Sequence, residues 1–214
     1  MNLLILGGTT EASALARRIA ARQDLHPVLS LAGRTRSPVA PPIPFRVGGF
    51  GGIAGLKAYL TAGKIDAVID ATHPFAARMS RNAFCACRDL ALPIAGLTRP
   101  PWRRQPGDRW INVADMAGAV ATLGDKPRRV FATVGGVQLA EFVCAPQHWY
   151  LVRSIDPPAA LSALPSHRLI LARGPFNVED EIVLMRDERI GVLVTTNSGG
   201  AATEAKLAAA RALG

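Results

Sequence analysis

Two short stretches of the 214-residue chain hold residue types that do chemistry. The first is ILGGTTEA, Ile5–Ala12, where an apolar run meets Gly7, Gly8, Thr9, Thr10 and Glu11. A strand, a glycine turn and a helix start gather backbone N–H groups and the positive end of a helix dipole at one point, which attracts an anion. Gly7 and Gly8 let a diphosphate approach the main chain; Thr9 or Thr10 adds a hydroxyl and caps the helix. The strict dinucleotide fingerprint is not met, because Thr9 and Ala12 occupy its second and third glycine positions when Gly7 is the first. A tight turn that binds nothing is the alternative. The second stretch is DATHPFA, Asp70–Ala76. His73 follows a strand there, and Pro74 holds it extended. Its imidazole could touch a nicotinamide or give a proton to a substrate. Asp70 is read as the group that orients this loop. A loop histidine satisfied by its neighbours is the alternative for His73.

Between the two stretches lies AGRTR, with Arg34, Thr35 and Arg36 at the end of the second expected strand. Sites for NAD usually carry an acid at that point, whereas a cation suits the 2′-phosphate of NADP. No Asp or Glu occurs between Asp24 and Asp66. The expected cofactor is therefore NADPH/NADP+, with Arg34 as its 2′-phosphate ligand; a pair of solvated arginines is the alternative.

Other chemistries lack their residues. A short-chain dehydrogenase wants Tyr and Lys four apart, but Tyr59 is followed at that distance by Gly63 and Tyr150 by Ser154. No GxSxG, HExxH or GKS/T sequence is present. Cys85, Cys87 and Cys144 make neither a disulfide framework nor a zinc site, so no metal is expected. The formal charge of +9 favours anionic partners. The basic residues are scattered and match no nucleic-acid signature. No leader or membrane-spanning stretch is read, so a cytoplasmic chain without nucleic-acid or membrane partners is expected, and a monomer suffices.

These residues need elements to hold them. Strands are expected at Leu3–Leu6, His26–Ala32, Ile65–Asp70, Leu92–Leu97, Arg129–Thr133, Trp149–Ile155, Leu169–Ala172 and Ile190–Thr195. Helices are expected at Glu11–Arg22, Gly55–Gly63, Ala76–Asp89, Ala114–Leu123, from Gln138, Val178–Arg186 and Ala202–Leu213. GGFGG, Gly48–Gly52, is read as a flexible or close-approach segment. Strands alternating with helices give parallel sheets covered on both faces. RPPWRRQPGDRW, Arg99–Trp110, interrupts the alternation, so the expected domains are 1–98 and 99–214. Glycine turns recur at Gly7–Gly8, Gly135–Gly136 and Gly199–Gly200, each after an expected strand, on the edge where such sheets bind ligands. Two facing domains would make a cleft between them.

With ILGGTTEA, DATHPFA, RPPW (Arg99–Trp102), GPF (Gly174–Phe176) and NSGG (Asn197–Gly200) in this order, the chain resembles the precorrin-6A reductase family of cobalamin biosynthesis over almost its whole length. The resemblance implies two Rossmann-like α/β domains with mainly parallel sheets, cofactor and substrate lying between them. It implies NADPH-dependent reduction of one double bond of a tetrapyrrole polycarboxylate, precorrin-6A, to precorrin-6B. Gly7, Gly8, Thr9 and Glu11 match the family's cofactor turn, and Thr72, His73 and Pro74 its second cofactor-side loop. Gly174, Asn197, Ser198 and Gly199 match substrate-side motifs, and Arg153 matches a strand arginine, followed here by Ile-Asp in place of the usual Leu-Pro two residues on. Thr196 stands where many members have Lys. Gly135 joins the substrate side through its glycine turn. A flat ring with many carboxylates wants cations at a rim, for which Arg99, Arg103, Arg104, Arg109 and Arg153 are candidates, and Trp102 or Trp110 could pack on it. The rival readings are another NADP-dependent reductase or isomerase on the same fold, and a non-enzymatic nucleotide- or nucleic-acid-binding module.

Overall fold

The computed structural model describes residues 1–33 and 40–214, which form two compact units, Met1–Arg99 and Pro100–Gly214. The first is built on β1 (Asn2–Leu6), a strand buried on both faces. Side chains alternate across it. Leu3 and Ile5 meet Ala12 and Ala16 of α1 (Thr10–Ile19). Leu4 and Leu6 meet Leu56 and Leu60 of α2 (Gly52–Ala62) and Ala83, Ala86 and Cys87 of α3 (Ala77–Asp89). The other strands are β2 (His26–Leu31), β3 (Phe45–Val47), β4 (Ala67–Asp70) and β5 (Ile94–Gly96). Their order is β3-β2-β1-β4-β5 and every pair is parallel.

Strand β3 is absent from the sequence expectations. Three residues after a proline-rich run give no periodicity to read, and prolines are tolerated there because β3 lies at the sheet edge. Its pairing sets Ser30 opposite Arg46. GGFGG is no loose segment at its end: α2 begins at Gly52, three residues before the expected start, behind Gly51 at φ 77°. Gly55 explains the tight entry, since a Cβ there would lie 1.7 Å from the carbonyl oxygen of Phe50.

The second unit pairs β6 (Arg129–Thr133), β7 (Trp149–Ser154), β8 (His167–Leu171) and β9 (Val192–Thr195) in the order β8-β7-β6-β9, again all parallel. Val130, Ala132, Tyr150 and Val152 pack on one face with Ala119 and Leu123 of α4 (Met116–Leu123), Phe142 and Leu164. Phe131 and Leu151 pack on the other with Met185 of α5 (Val178–Asp187) and Ala209 of α6 (Ala205–Leu213). Two expected helices differ. Gln138–Cys144 is a 3-10 turn, and the last helix is split into a 3-10 turn at Ala201–Thr203 followed by α6. Both follow glycine turns, where the chain must tighten before it can run on. Residues 97–115 carry no helix or strand.

Candidate functional site

The carboxyl edge of the first sheet gathers both chemical stretches. The Gly7 N–H donates to the Ser30 carbonyl at 2.9 Å, which holds the turn against β2. A Cβ on Gly7 would meet Leu29 Cδ1 at 2.6 Å, so the turn owes its closeness to β2 to this glycine. Gly8 has φ 112° and open space where a side chain would be, which leaves its main chain accessible to a ligand. Thr9 caps α1: its hydroxyl oxygen accepts from the Ala12 N–H at 3.1 Å and its O–H donates to the Ala71 carbonyl at 2.8 Å. The glycine-threonine turn is thereby tied to the loop that carries His73.

Thr10 donates to Glu11 Oε1 at 3.1 Å, and Arg99 Nη1 donates to Glu11 Oε2 at 2.8 Å. Burial pushes the Glu11 carboxyl up, but its own backbone N–H, the Arg99 charge and the Thr10 hydroxyl outweigh that and hold it below the ordinary carboxylate value. Arg99, a candidate rim cation by sequence, is here paired to Glu11 beside the glycine-threonine turn, with its side chain 15% exposed.

In the neighbouring loop, Asp70 Oδ1 accepts from the Thr72 N–H at 3.1 Å and from its hydroxyl at 2.7 Å. This is the orienting role expected of Asp70. His73 Nδ1 accepts from the Phe75 N–H at 3.2 Å, and the two rings lie 5.9 Å apart. A neutral His73 accepting at Nδ1 carries its proton on Nε2. Pro74 forms the turn that closes with the Ala76 N–H donating to the His73 carbonyl at 2.7 Å. Arg34 lies outside the described residues.

The second unit brings its own motifs together. Asn197 clamps the RPPW segment: its Oδ1 accepts from the Trp102 N–H at 2.7 Å and its Nδ2 donates to the Trp102 carbonyl at 3.0 Å. The Trp102 indole donates to the Gly200 carbonyl at 3.1 Å, and the side chain is buried. Trp102 thus packs inside its own unit in this structure rather than offering a free face. Ser198 is buried beside it, and Gly199 turns the loop at φ 67°. A Cβ on Gly174 would meet the Ala202 carbonyl at 2.6 Å, and the Phe176 N–H donates to that carbonyl at 3.2 Å, so GPF and NSGG share one anchor. The Gly135 N–H is held by Gln138 Oε1 at 3.0 Å.

Arg153 differs from its expectation as a rim cation. Its guanidinium is paired to both Glu181 oxygens, with side-chain exposures of 6% and 3%, and stacks on Phe176 at 3.7 Å. An unpaired cation could not rest in that apolar setting, so the Glu181 carboxylate on α5 is what makes the burial tolerable. Sequence reasoning missed Glu181, because the pair is separated by 28 residues and no spacing announces it. Arg104 also points back, donating to the Asp108 carbonyl at 2.8 Å. Arg103 and Arg109 are exposed. Among the described residues no cluster of His, Cys, Asp and Glu is placed to hold a metal ion, and no helix is long and apolar enough to cross a membrane.

The family model described as precorrin-6x reductase CbiJ/CobK matches residues 2–214. The chain is 53% identical over 212 residues to a precorrin-6A reductase of Rhodobacter capsulatus, covering 99% of this chain and 84% of that one. It is 50% identical over 213 residues to a precorrin-6A reductase of Rhodococcus erythropolis, covering 99% and 85%. A solved structure named CobK precorrin-6A reductase superposes with a TM-score of 0.94 at 52% identity, covering 100% of this chain and 84% of that one. With parallel α/β sheets, a glycine-threonine turn on a helix start and these full-length likenesses, the chain belongs to the precorrin-6x reductase CbiJ/CobK family.

Proposed function

We propose that this chain reduces one double bond of precorrin-6A with NADPH to give precorrin-6B, a step of cobalamin biosynthesis, in the cytoplasm. Full-length likeness to precorrin-6A reductases carries the reading. The residues of the first unit fit the cofactor. The Gly8 main chain is open, α1 is ten residues long, and Thr9 fixes its start. Its first-turn N–H groups and dipole would hold a diphosphate across Gly7, Gly8, Thr9 and Thr10, with Arg99 holding Glu11 back by an ion pair.

When bound, NADPH supplies the hydride, and a proton completes the addition across the double bond. Thr72, fixed by Asp70, and Pro74 shape the loop beside the turn. His73 would give that proton from Nε2–H, its Nδ1 being engaged by the Phe75 N–H. On the substrate side, main-chain groups at Gly135, Gly174, Ser198 and Gly199 would meet the macrocycle. Asn197 and Arg153 act through what they hold: Asn197 the RPPW segment, Arg153 the ring of Phe176.

The test is anaerobic incubation of the protein with precorrin-6A and NADPH. Stoichiometric loss of NADPH and a product heavier by two hydrogens are expected. NADPH left unconsumed with that substrate would favour a different reductase or isomerase on this fold.

A further inference from the structure

Arg46 is the middle residue of β3, one residue before the strand's carboxyl end, and the proposed cofactor reading does not use it. Its register partner is Ser30, whose carbonyl holds the Gly7 turn. The guanidinium therefore lies on the carboxyl edge of the sheet, one strand beyond β2. Adenosine riboses of dinucleotides sit by the end of the second strand in folds of this kind.

The side chain is built in. Nη1 donates to Ser30 Oγ at 2.8 Å and to the Gly48 carbonyl at 2.8 Å, and Nη2 donates to the Gly49 carbonyl at 3.0 Å. Its plane covers the Phe50 ring at 4.1 Å and lies 5.2 Å from that of Tyr59. Phe50 is held there because Gly55 lets its carbonyl press against α2. These contacts occupy three of the five N–H groups of the guanidinium, leaving Nε–H and one Nη2–H to spare. Among the described residues no carboxylate pairs with it, and the sequence has none from residue 25 to residue 65. Among the described residues every bond it makes goes to a neutral acceptor, so its charge remains available to an anion.

We propose that Arg46 is the fixed cation that selects the 2′-phosphate of NADPH over the 2′-hydroxyl of NADH. The inference rests on the proposed cofactor reading. A planar fork already locked by its other donors binds phosphate with little further ordering. Arg34, the candidate from the sequence, is then dispensable for selection.

The experiment titrates wild type, Arg46→Met, Arg46→Lys and Arg34→Ala with NADPH and NADH by nicotinamide fluorescence. It repeats the series with 2′,5′-ADP and ADP as calorimetric ligands. Wild type should prefer the 2′-phosphorylated member of each pair. Arg46→Met should lose that preference by about tenfold or more while ADP binding moves by less than about twofold. Arg46→Lys should retain most of it, and provides the charge test if the Met variant does not fold. Equal loss of ADP and 2′,5′-ADP would make Arg46 a prop for the loop and overturn the proposal. So would an intact preference in Arg46→Met, or a preference lost in Arg34→Ala alone. Wild type binding no nucleotide would overturn the cofactor reading and this inference with it, whereas NADPH binding without dependence on Arg46 overturns this inference only.

Discussion

At the scale of single residues, the proposed site pairs groups that would touch ligands with groups that hold others in place. His73 stands out in the sequence because a histidine between a strand end and a proline has few structural duties; its role as proton donor is the proposal. Its Nδ1 accepts from the Phe75 N–H, which in a neutral ring leaves the proton on Nε2. Replacing His73 with Gln should lower turnover by about a hundredfold and flatten its pH profile, with little change in NADPH binding. Unchanged turnover and profile in steady-state kinetics would assign the proton to water. The sequence motifs single out Asn197 and Arg153 but not the contacts they make. Their partners, Trp102 and Glu181, are 95 and 28 residues away, and spacing cannot reveal a bond across a fold. Glu181→Gln or Arg153→Met should each cost about 3–5 kcal/mol in urea denaturation, because each strands a buried partner. Arg153→Met combined with Glu181→Met should recover much of that loss, which a direct substrate contact would not produce in a stability measurement.

At the scale of elements, the long strands were readable because both faces of β1, β6 and β7 are buried and give continuous apolar runs. The elements that escaped are short or irregular. β3 has three residues, and Gln138–Cys144 looks helical by composition yet winds as a 3-10 turn. The start of α1 is the element boundary on which the proposed cofactor site rests. Thr9→Ala removes both the cap to Ala12 and the tie to Ala71. It should cost about 1–2 kcal/mol of stability and weaken NADPH binding, whereas Thr9→Ser should preserve both, as read by denaturant midpoint and titration. Gly55→Ala tests α2 in the same way. Its Cβ has no room beside Phe50, so a lower melting temperature is expected.

For the whole molecule, alternation of strand and helix implied parallel sheets, and both sheets are wholly parallel. The stability of the second unit should fall in mild acid. His148 is 1% exposed, and neither ring nitrogen meets a partner in hydrogen-bonding geometry. Burial, helped by the Arg128 charge, holds its pKa below the ordinary value, against the pull of the Gly124 carbonyl and Asp125. The unfolded chain thus takes up a proton near pH 6.5 that the folded one resists, so stability is full above that pH and declines below it. Denaturant midpoints should drop between about pH 7 and 5.5, and His148→Leu should remove most of that slope. Asp108, whose carboxyl is pushed up by burial but held lower by Arg211, adds its own loss only further into acid. Trp102, Trp110 and Trp149 are the chain's three tryptophans, and all belong to Pro100–Gly214. Trp102 has its indole on the Gly200 carbonyl, and Trp149 lies 3.6 Å beneath the Arg129 guanidinium. Intrinsic emission is therefore a reporter planted in one unit alone: it will register melting or reshaping around the NSGG loop, while the glycine turn at Gly7 needs light from the nicotinamide itself.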